Sequence, residues 1–323
     1  MRLMGKKRIN YSIIQNLNIM KAAIKYLIIF LLINIFVGLA TILLGYLVCA
    51  IIGRPFPGLE EMLAHPWYTA VSLLLCDLVV LLVFWMRKYT NFRFNYGSTY
   101  GENFSAKKLY LWAAVAAVGL LIFDLMAGFY LPIPEDPEIM ETIGQMMTNP
   151  IGLLSVCLVG PLAEEAILRG AVERRLLQKH WNPWFAIVIS ALLFAVIHLN
   201  WAQGFTATVI GIFMGWVYYR TRSIWPTVLI HVVNNTAACL IALAAPDAMY
   251  DENYTLPLTI GIPLIVVSII IIALAAKKIG WLTKDRTPIP APVTEVLPPP
   301  LPVEAMENAQ PVPDIINEAP AEE

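Results

Sequence analysis

Charge is what this sequence has least of. Asp, Glu, Lys and Arg make up 14% of its 323 residues, against about 25% in an ordinary soluble domain. So few polar groups cannot cover a water-facing surface, which excludes a soluble enzyme. A hydrophobic content of 59% excludes a disordered chain, and a net charge of -1 excludes a nucleic-acid binder with a basic face. Cysteine is sparse as well. Cys49, Cys76, Cys157 and Cys239 all fall inside apolar runs without C-x-x-C spacing, so they read as buried free thiols rather than a disulfide framework or a thiolate zinc site. The H-E-x-x-H helix signature, the G-x-S-x-G elbow, a glycine-rich phosphate loop and any repeat of 20–50 residues are also missing.

What is present is a series of long apolar runs. A hydrocarbon core about 30 Å thick needs about 20 residues of helix at 1.5 Å each. Runs of this kind lie near 26–51, 68–86, 108–129, 150–172, 183–199, 203–219, 224–245 and 258–278. They predict an all-α, polytopic membrane bundle of eight transmembrane helices. The first run has no small-residue cleavage site and reads as an anchor rather than a signal peptide.

The cations test this count. They cluster before the first run and in every second connection, from Arg87 to Lys108, Arg174 to Lys179, Arg220 to Arg222 and Lys277 to Arg286; 20 of the 22 obey the alternation, Arg54 and Arg169 being the exceptions. The intervening connection 130–149 is acidic, with Glu135, Asp136, Glu138 and Glu141. An odd number of helices would break the pattern. By the positive-inside rule both termini are expected in the cytoplasm, and the protein is expected in a bacterial plasma membrane.

Both ends differ from the core. Residues 1–25 mix basic and apolar positions and are expected as a cytoplasmic segment on the anionic inner leaflet. The membrane domain is expected over 26–283. Residues 284–323 are expected as a disordered cytoplasmic tail, since 287–323 hold ten prolines and seven acids without a Lys or Arg. The stretch Pro298-Pro299-Pro300 is a possible partner-binding site on that tail.

Ionisable groups at membrane depth are costly and are functional candidates by default. The spans contain Asp77, Asp124, Glu164, Glu165, Arg169, His198 and His231, with Asn234 and Asn235 close by. Glu165 and Arg169 stand four apart and can pair on one helix face. Glu164 projects about 100° away. Two adjacent carboxylates in a low dielectric need a cation for one of them; Arg169 serves Glu165 and leaves Glu164 adjustable. His231 and Asn235 share another face. Such a set suits water activation: a glutamate as general base, a histidine to orient or share the proton, and a second histidine with an asparagine as donors to an oxyanion. The chemistry fits hydrolysis of an amide within the membrane, with no cofactor. The same Glu164, His198 and His231 are alternatively a three-ligand zinc set with an open fourth position.

The three motifs E-E-x-x-x-R (Glu164-Glu165 to Arg169), F-x-x-x-H (Phe194 to His198) and H-x-x-x-N (His231 to Asn235) occur here in order, within residues 152–245. At these residues the sequence resembles the CPBP family, which comprises type II CAAX prenyl proteases and bacteriocin-processing or Abi-type proteins. The resemblance implies an eight-helix intramembrane endopeptidase acting on a membrane-anchored peptide or protein. It also implies that Glu164 and His198 activate water, that His231 and Asn235 form the oxyanion site, and that Glu165 and Arg169 support the architecture.

Depth raises a difficulty. Counted from the basic end, His231 is about seven residues in, Glu164 about ten and His198 about fifteen, so straight spans would hold His198 several ångströms away. The fifth and sixth helices are therefore expected as a short buried hairpin, with Gly211 and Gly215 as its close-packing face. The polar cavity is expected to open toward the cytoplasm. Asp77 and Asp124 are expected in structural roles, and Trp67, Trp181, Trp184, Trp201 and Trp225 at the interfaces. Two other functions compete: a proton-coupled transporter with Asp77, Asp124 and Glu164 as relay, and a non-catalytic scaffold or immunity protein.

Overall fold

Asn149 and Asn182 each stand immediately before a proline, which is how a helix start is written in sequence. Both act as caps: the Asn149 side chain accepts from the Ile151 N–H (2.9 Å) and the Asn182 side chain from the Trp184 N–H (3.0 Å). Ser105 does the same for Lys108. The computed structural model describes residues 2–55, 57–93, 98–131, 141, 144–177, 182–198, 200–244 and 256–288. Within them run α1 (Arg2–Ile51), α2 (Leu59–Ala64), α3 (Pro66–Met86), α4 (Ala106–Tyr130), α5 (Pro150–Leu177), α6 (Pro183–Ile197), α7 (Trp201–Thr221), α8 (Trp225–Ala244) and α9 (Leu258–Leu282).

Each of the eight apolar runs is helical. Among the described residues, six helices (α1 from Ala23, α3, α4, α5, α8 and α9) are long and apolar enough to cross a membrane. Helix α6 has 15 residues, about 22 Å at 1.5 Å per residue, and falls short of a 30 Å core. Helix α7 is long enough but carries Gln203, Thr206, Thr208, Tyr218 and Tyr219, and it does not meet the same apolar standard. The two pack against each other as the expected hairpin, the residues between them being His198, Asn200 and the undescribed position 199.

Burial orders the bundle. Helix α5 is the most buried of the six and α1 the least. The outer faces of α1 and α9 expose Ile28, Leu31, Ile35, Phe36, Ile262, Val266, Ile269 and Ile270, the all-round apolar surface that suits lipid rather than water. Helices α4 and α9 pack together, α4 also packs on α8, and α3 fills the gap between α1 and α5. The core around α5 includes Phe84, Leu109, Leu120, Ile167, Leu168 and Met214.

Two boundaries differ from expectation. The first helix does not begin near residue 26; it runs without a break from Arg2, so the basic segment continues the span as helix. At the other end, residues 284–288 have a defined place. Thr287–Pro288 pairs antiparallel with Ser98–Thr99, Asn103 Nδ2 donates to Asp285 Oδ2 (3.1 Å), and Arg220 donates to Thr283 Oγ1 and Gly280 O. These contacts tie the chain after α9 to the basic end of the bundle, and the two-residue pairing is the one departure from an all-α fold among the described residues. The remainder of the expected tail, 289–323, and Trp181 lie outside the described residues.

The α6–α7 contact depends on absent side chains. A Cβ at Gly211 would meet Ala191 Cβ at 3.1 Å, Ala191 Cα at 3.2 Å and Phe194 Cδ1 at 3.2 Å. One at Gly215 would meet Glu173 Oε2 at 2.9 Å and Ile187 Cγ2 at 3.0 Å. Gly38, by contrast, has nothing within 4 Å of that position. Gly211→Leu is expected to lower stability in detergent by about 1–3 kcal/mol through overpacking and Gly38→Leu to change it little, as read by thermal unfolding of the purified chain.

Candidate active site

The site is built on a distorted helix. Helix α5 widens twice into π-helical turns, at Ser155–Val159 and Leu168–Glu173, and the α-helical segment between them, Gly160–Ile167, carries Glu164 and Glu165. Such widened turns are frequent at functional sites. The first has an identifiable cause. The Gly160 N–H bonds back to Ser155 O, and the next residue in that i to i+5 register is Pro161, which has no N–H. The Val156 carbonyl is thereby released, and Asn235 Nδ2 donates to it from α8 at 3.1 Å. Two more carbonyls of the distorted region take side-chain donors: Ala166 O from Thr90 and Leu168 O from Ser190 (3.2 Å). Helix α5 is thus pinned to its neighbours through backbone groups that a regular helix would keep to itself.

Arg169 is fully buried. Its Nη1 donates to Glu165 Oε1 at 2.8 Å, its Nη2 donates to Gly211 O at 3.0 Å, and its guanidinium lies 4.8 Å from the Phe194 ring centre. The expected i,i+4 pair is therefore present, and α7 and α6 complete its shell. Glu165 also faces His231, with Oε1 3.2 Å from Nδ1. On the other edge of the imidazole, Nε2 lies 3.6 Å from Glu164 Oε2.

This geometry constrains the protons. Glu165, held by Arg169, is an acceptor, so His231 presents Nδ1–H to it. The Nε2 edge then faces Glu164 Oε2 at 3.6 Å, beyond direct hydrogen-bond reach, and that oxygen has no hydrogen-bond partner. The Glu165–Arg169 pair is neutral as a unit, which lets it sit in a low-dielectric interior.

His198 closes α6. Its Nδ1 sits 2.8 Å from Phe194 O, which assigns the Nδ1 proton to that bond and leaves Nε2 as an acceptor in the neutral ring. Phe194 stands edge-on between the histidines, 4.9 Å from the His198 ring and 5.4 Å from the His231 ring. His198, His231 and Asn235 line one cavity of about 240 Å³, together with Asp124, Gln203, Thr206, Asn234 and a set of apolar residues that includes Val156, Phe194 and Ile210. Glu164 is beside this cavity rather than in its wall. Its side chain is 26% exposed, and its carboxylate is not within 4.0 Å of His198. The expected Glu164–His198 couple is therefore not a direct contact; Glu164 reaches the cavity by way of His231.

The cavity is skewed away from the end that the sequence reading gave it. Most lining residues lie in the half of their helix remote from the cation-rich connections: Asp124 late in α4, Val156 early in α5, Phe194 and His198 at the end of α6, Gln203 to Ile210 early in α7, and Asn235 to Ala242 late in α8, while His231 and Asn234 lie in the nearer half of α8. Toward the basic end the way is closed by buried Arg169, Glu173, Leu176 and Val172. An opening toward the basic end was expected because the soluble half of a substrate was placed there. The short α6 instead carries His198 toward the opposite end.

The zinc reading requires Glu164, His198 and His231 to converge. Among the described residues no three His, Cys, Asp or Glu side chains come close enough together to hold a metal ion. The donor set as arranged does not fit that role.

Several polar groups here were not assigned by sequence. Asp77 is buried on α3 and accepts from Ser155 Oγ at 3.0 Å, within electrostatic reach of Glu164; this is the structural placement expected of it. Glu173 is fully buried, and neither carboxyl oxygen has a hydrogen-bond partner. Phe194 had no task in the sequence beyond its motif, yet it touches Arg169 and both histidines. Its signal was its four-residue spacing from His198. Cys157 and Cys239 are free and pack in one small cluster beside the cavity.

Comparison with known proteins bears on this segment. Residues 147–237 match the family model described as "Type II CAAX prenyl endopeptidase Rce1-like". The motif-bearing segment is thus similar to the CPBP proteases. Over 202 residues the chain is also 26% identical to "Putative membrane peptidase YdiL" of Bacillus subtilis (strain 168), an alignment covering 61% of this chain and 80% of that protein. No solved structure matches. The CPBP match ends two residues past Asn235 and takes in α5, α6, α7 and most of α8, the same elements that carry all three motifs. Both relatives are described as peptidases, which supports a membrane protease.

Removing one partner of a buried ion pair strands the other. Glu165→Gln is expected to cost about 3–5 kcal/mol, and Glu165→Gln combined with Arg169→Met to recover most of it. Thermal and denaturant unfolding in micelles checks both.

Proposed function

We propose that the protein is an intramembrane endopeptidase that hydrolyses a peptide bond of a membrane-anchored substrate by glutamate and histidine water activation. The observation that carries this reading is the placement of Glu164 3.6 Å from an imidazole that Glu165 and Arg169 hold in one tautomer and that lines a cavity together with His198.

In this mechanism Glu164 takes a proton from water as the water oxygen bonds to the scissile carbonyl carbon. His198, presenting Nε2 from the far side of Phe194, orients that water. Charge develops on the carbonyl oxygen, where His231 and the remaining Asn235 N–H donate. The anchoring of Asn235 to Val156 O fixes the amide so that its second N–H needs no reorganisation. The C–N bond then breaks and the proton held by Glu164 passes to the leaving amine nitrogen. Glu165 and Arg169 act by positioning His231. No step draws on a metal.

The protein is placed in a bacterial plasma membrane with eight helices in the bilayer, α6 and α7 forming a hairpin covered by the others. With the cation-rich end cytoplasmic, the cavity faces the outer half of the membrane. A substrate anchor would enter from that side.

Glu164→Gln and His198→Ala are each expected to lower cleavage of a membrane-peptide substrate by about 10²- to 10⁴-fold while elution in detergent and thermal unfolding stay unchanged. Retained cleavage in both variants would overturn the assignment and favour the transport or scaffold readings. Comparing membrane-peptide abundance in cells carrying the intact and Glu164→Gln chains identifies the substrate.

A further inference from the structure

The proposed reaction uses one wall of the cavity. The other wall carries a carboxyl group with no assigned task. Asp124 projects from α4 into the same space, beside the Thr206 hydroxyl of α7. Across from it on α8 lies Asn234, a buried residue at 6% exposure whose Oδ1 has no hydrogen-bond partner. Among the described residues no Lys or Arg lines the cavity. The nearest buried cation, Arg169, is on the far side of Phe194 and is already spent on Glu165 and Gly211 O.

A carboxylate in low dielectric is costly unless a charge or strong donors meet it, and a buried carbonyl oxygen left unpaired costs about 1–3 kcal/mol. Thr206 can give Asp124 only one proton, and its hydroxyl already lies 3.2 Å from Gln203 O. The Gln203 amide also lines the cavity, but neither it nor Thr206 carries charge, so a cationic group with several N–H donors suits Asp124 and Asn234 Oδ1 together. The rest of the wall near Asp124, with Ala207, Ile210 and Ala238, suits the methylene stem of a long side chain.

We propose that Asp124, with Thr206 and Asn234, forms a specificity subsite for a cationic, N–H-donating group of the substrate, a lysine side chain or an equivalent alkylamine, held next to the scissile bond. The identity of the bound molecule as a peptide rests on the hydrolase reading; recognition of the cation does not.

The test measures binding rather than turnover. The full-length chain carrying Glu164→Gln is placed in nanodiscs and titrated with two fluorescent membrane peptides that differ only by lysine or norleucine at one position beside the would-be scissile bond, scanned along the peptide. At one position lysine is expected to bind about tenfold tighter or more. Adding Asp124→Asn is expected to reduce that ratio to about one, and Asp124→Lys to reverse it toward a glutamate-bearing peptide. Butylammonium, but not butanol, is expected to compete. A lysine preference at no position, failure of either peptide to bind, or a ratio unchanged by Asp124→Asn would each overturn the subsite. The peptide and butylammonium comparisons need no change at position 124, so misfolding of a variant does not shield the proposal. Absence of cleavage by the unmodified chain, with lysine discrimination intact, would reject the hydrolase and leave the subsite standing.

Discussion

Arg169 is a full positive charge with no access to water, and the arrangement around it follows from that. One carboxylate oxygen, one backbone carbonyl and one aromatic face surround it. Each comes from a different place: Glu165 from its own helix, Gly211 from α7 and Phe194 from α6. Satisfying the guanidinium therefore assembles three helices at once. Gly211 must be a glycine for α6 to approach, and the same approach delivers its carbonyl to the charge. Once Glu165 is engaged it fixes His231, and the other edge of that imidazole is thereby turned toward Glu164. The adjustable group of the site is thus held at the end of a chain of contacts that begins with a charge that cannot move.

Much of this was legible in the chain. Each apolar run falls on a helix among the described residues, six of them long and apolar enough to cross a membrane, and the Asn-Pro pairs marked two of the starts. Glu165 and Arg169 announced their contact by spacing alone, because i,i+4 neighbours meet whatever the rest of the fold does. The Gly211–Gly215 face and the α6–α7 hairpin followed from small residues and a short turn. Relations between helices were harder. Glu164 meets His231 and not His198, a choice set by the rotation of α5 relative to α6 and α8. Two π turns alter that rotation, and periodicity at 3.6 residues cannot register them. Depth counted along straight helices also could not say which end of the bundle the cavity would favour, since its lining is drawn from five helices at once. Asp124 looked structural because no motif contained it; only its neighbours on α7 and α8 place it in the cavity.

The comparisons and the geometry speak to different levels. Similarity to the Rce1-like family covers the segment 147–237 and supports a membrane peptidase. It does not reach Asp124, which lies outside the matched residues. The motif segment carries the residues proposed for the reaction, while α4 contributes Asp124 to the same cavity. A division of this kind, with chemistry on one set of helices and selectivity on another, lets one reaction core serve different substrates when α4 changes.

That Glu165 and Arg169 belong to the same helix has a bearing on how the protein is made. Helices of a polytopic chain leave the translocon roughly in order, and α5 must enter lipid before Phe194, Gly211 and His231 have been delivered. A cation whose counter-ion lay on a later helix would sit exposed to acyl chains in that interval. Here the partner is one turn away and travels with it, so α5 is already self-neutralised at that pair when it partitions. The later helices then exchange a provisional lipid environment for aromatic, carbonyl and imidazole contacts around a pair that was complete from the start.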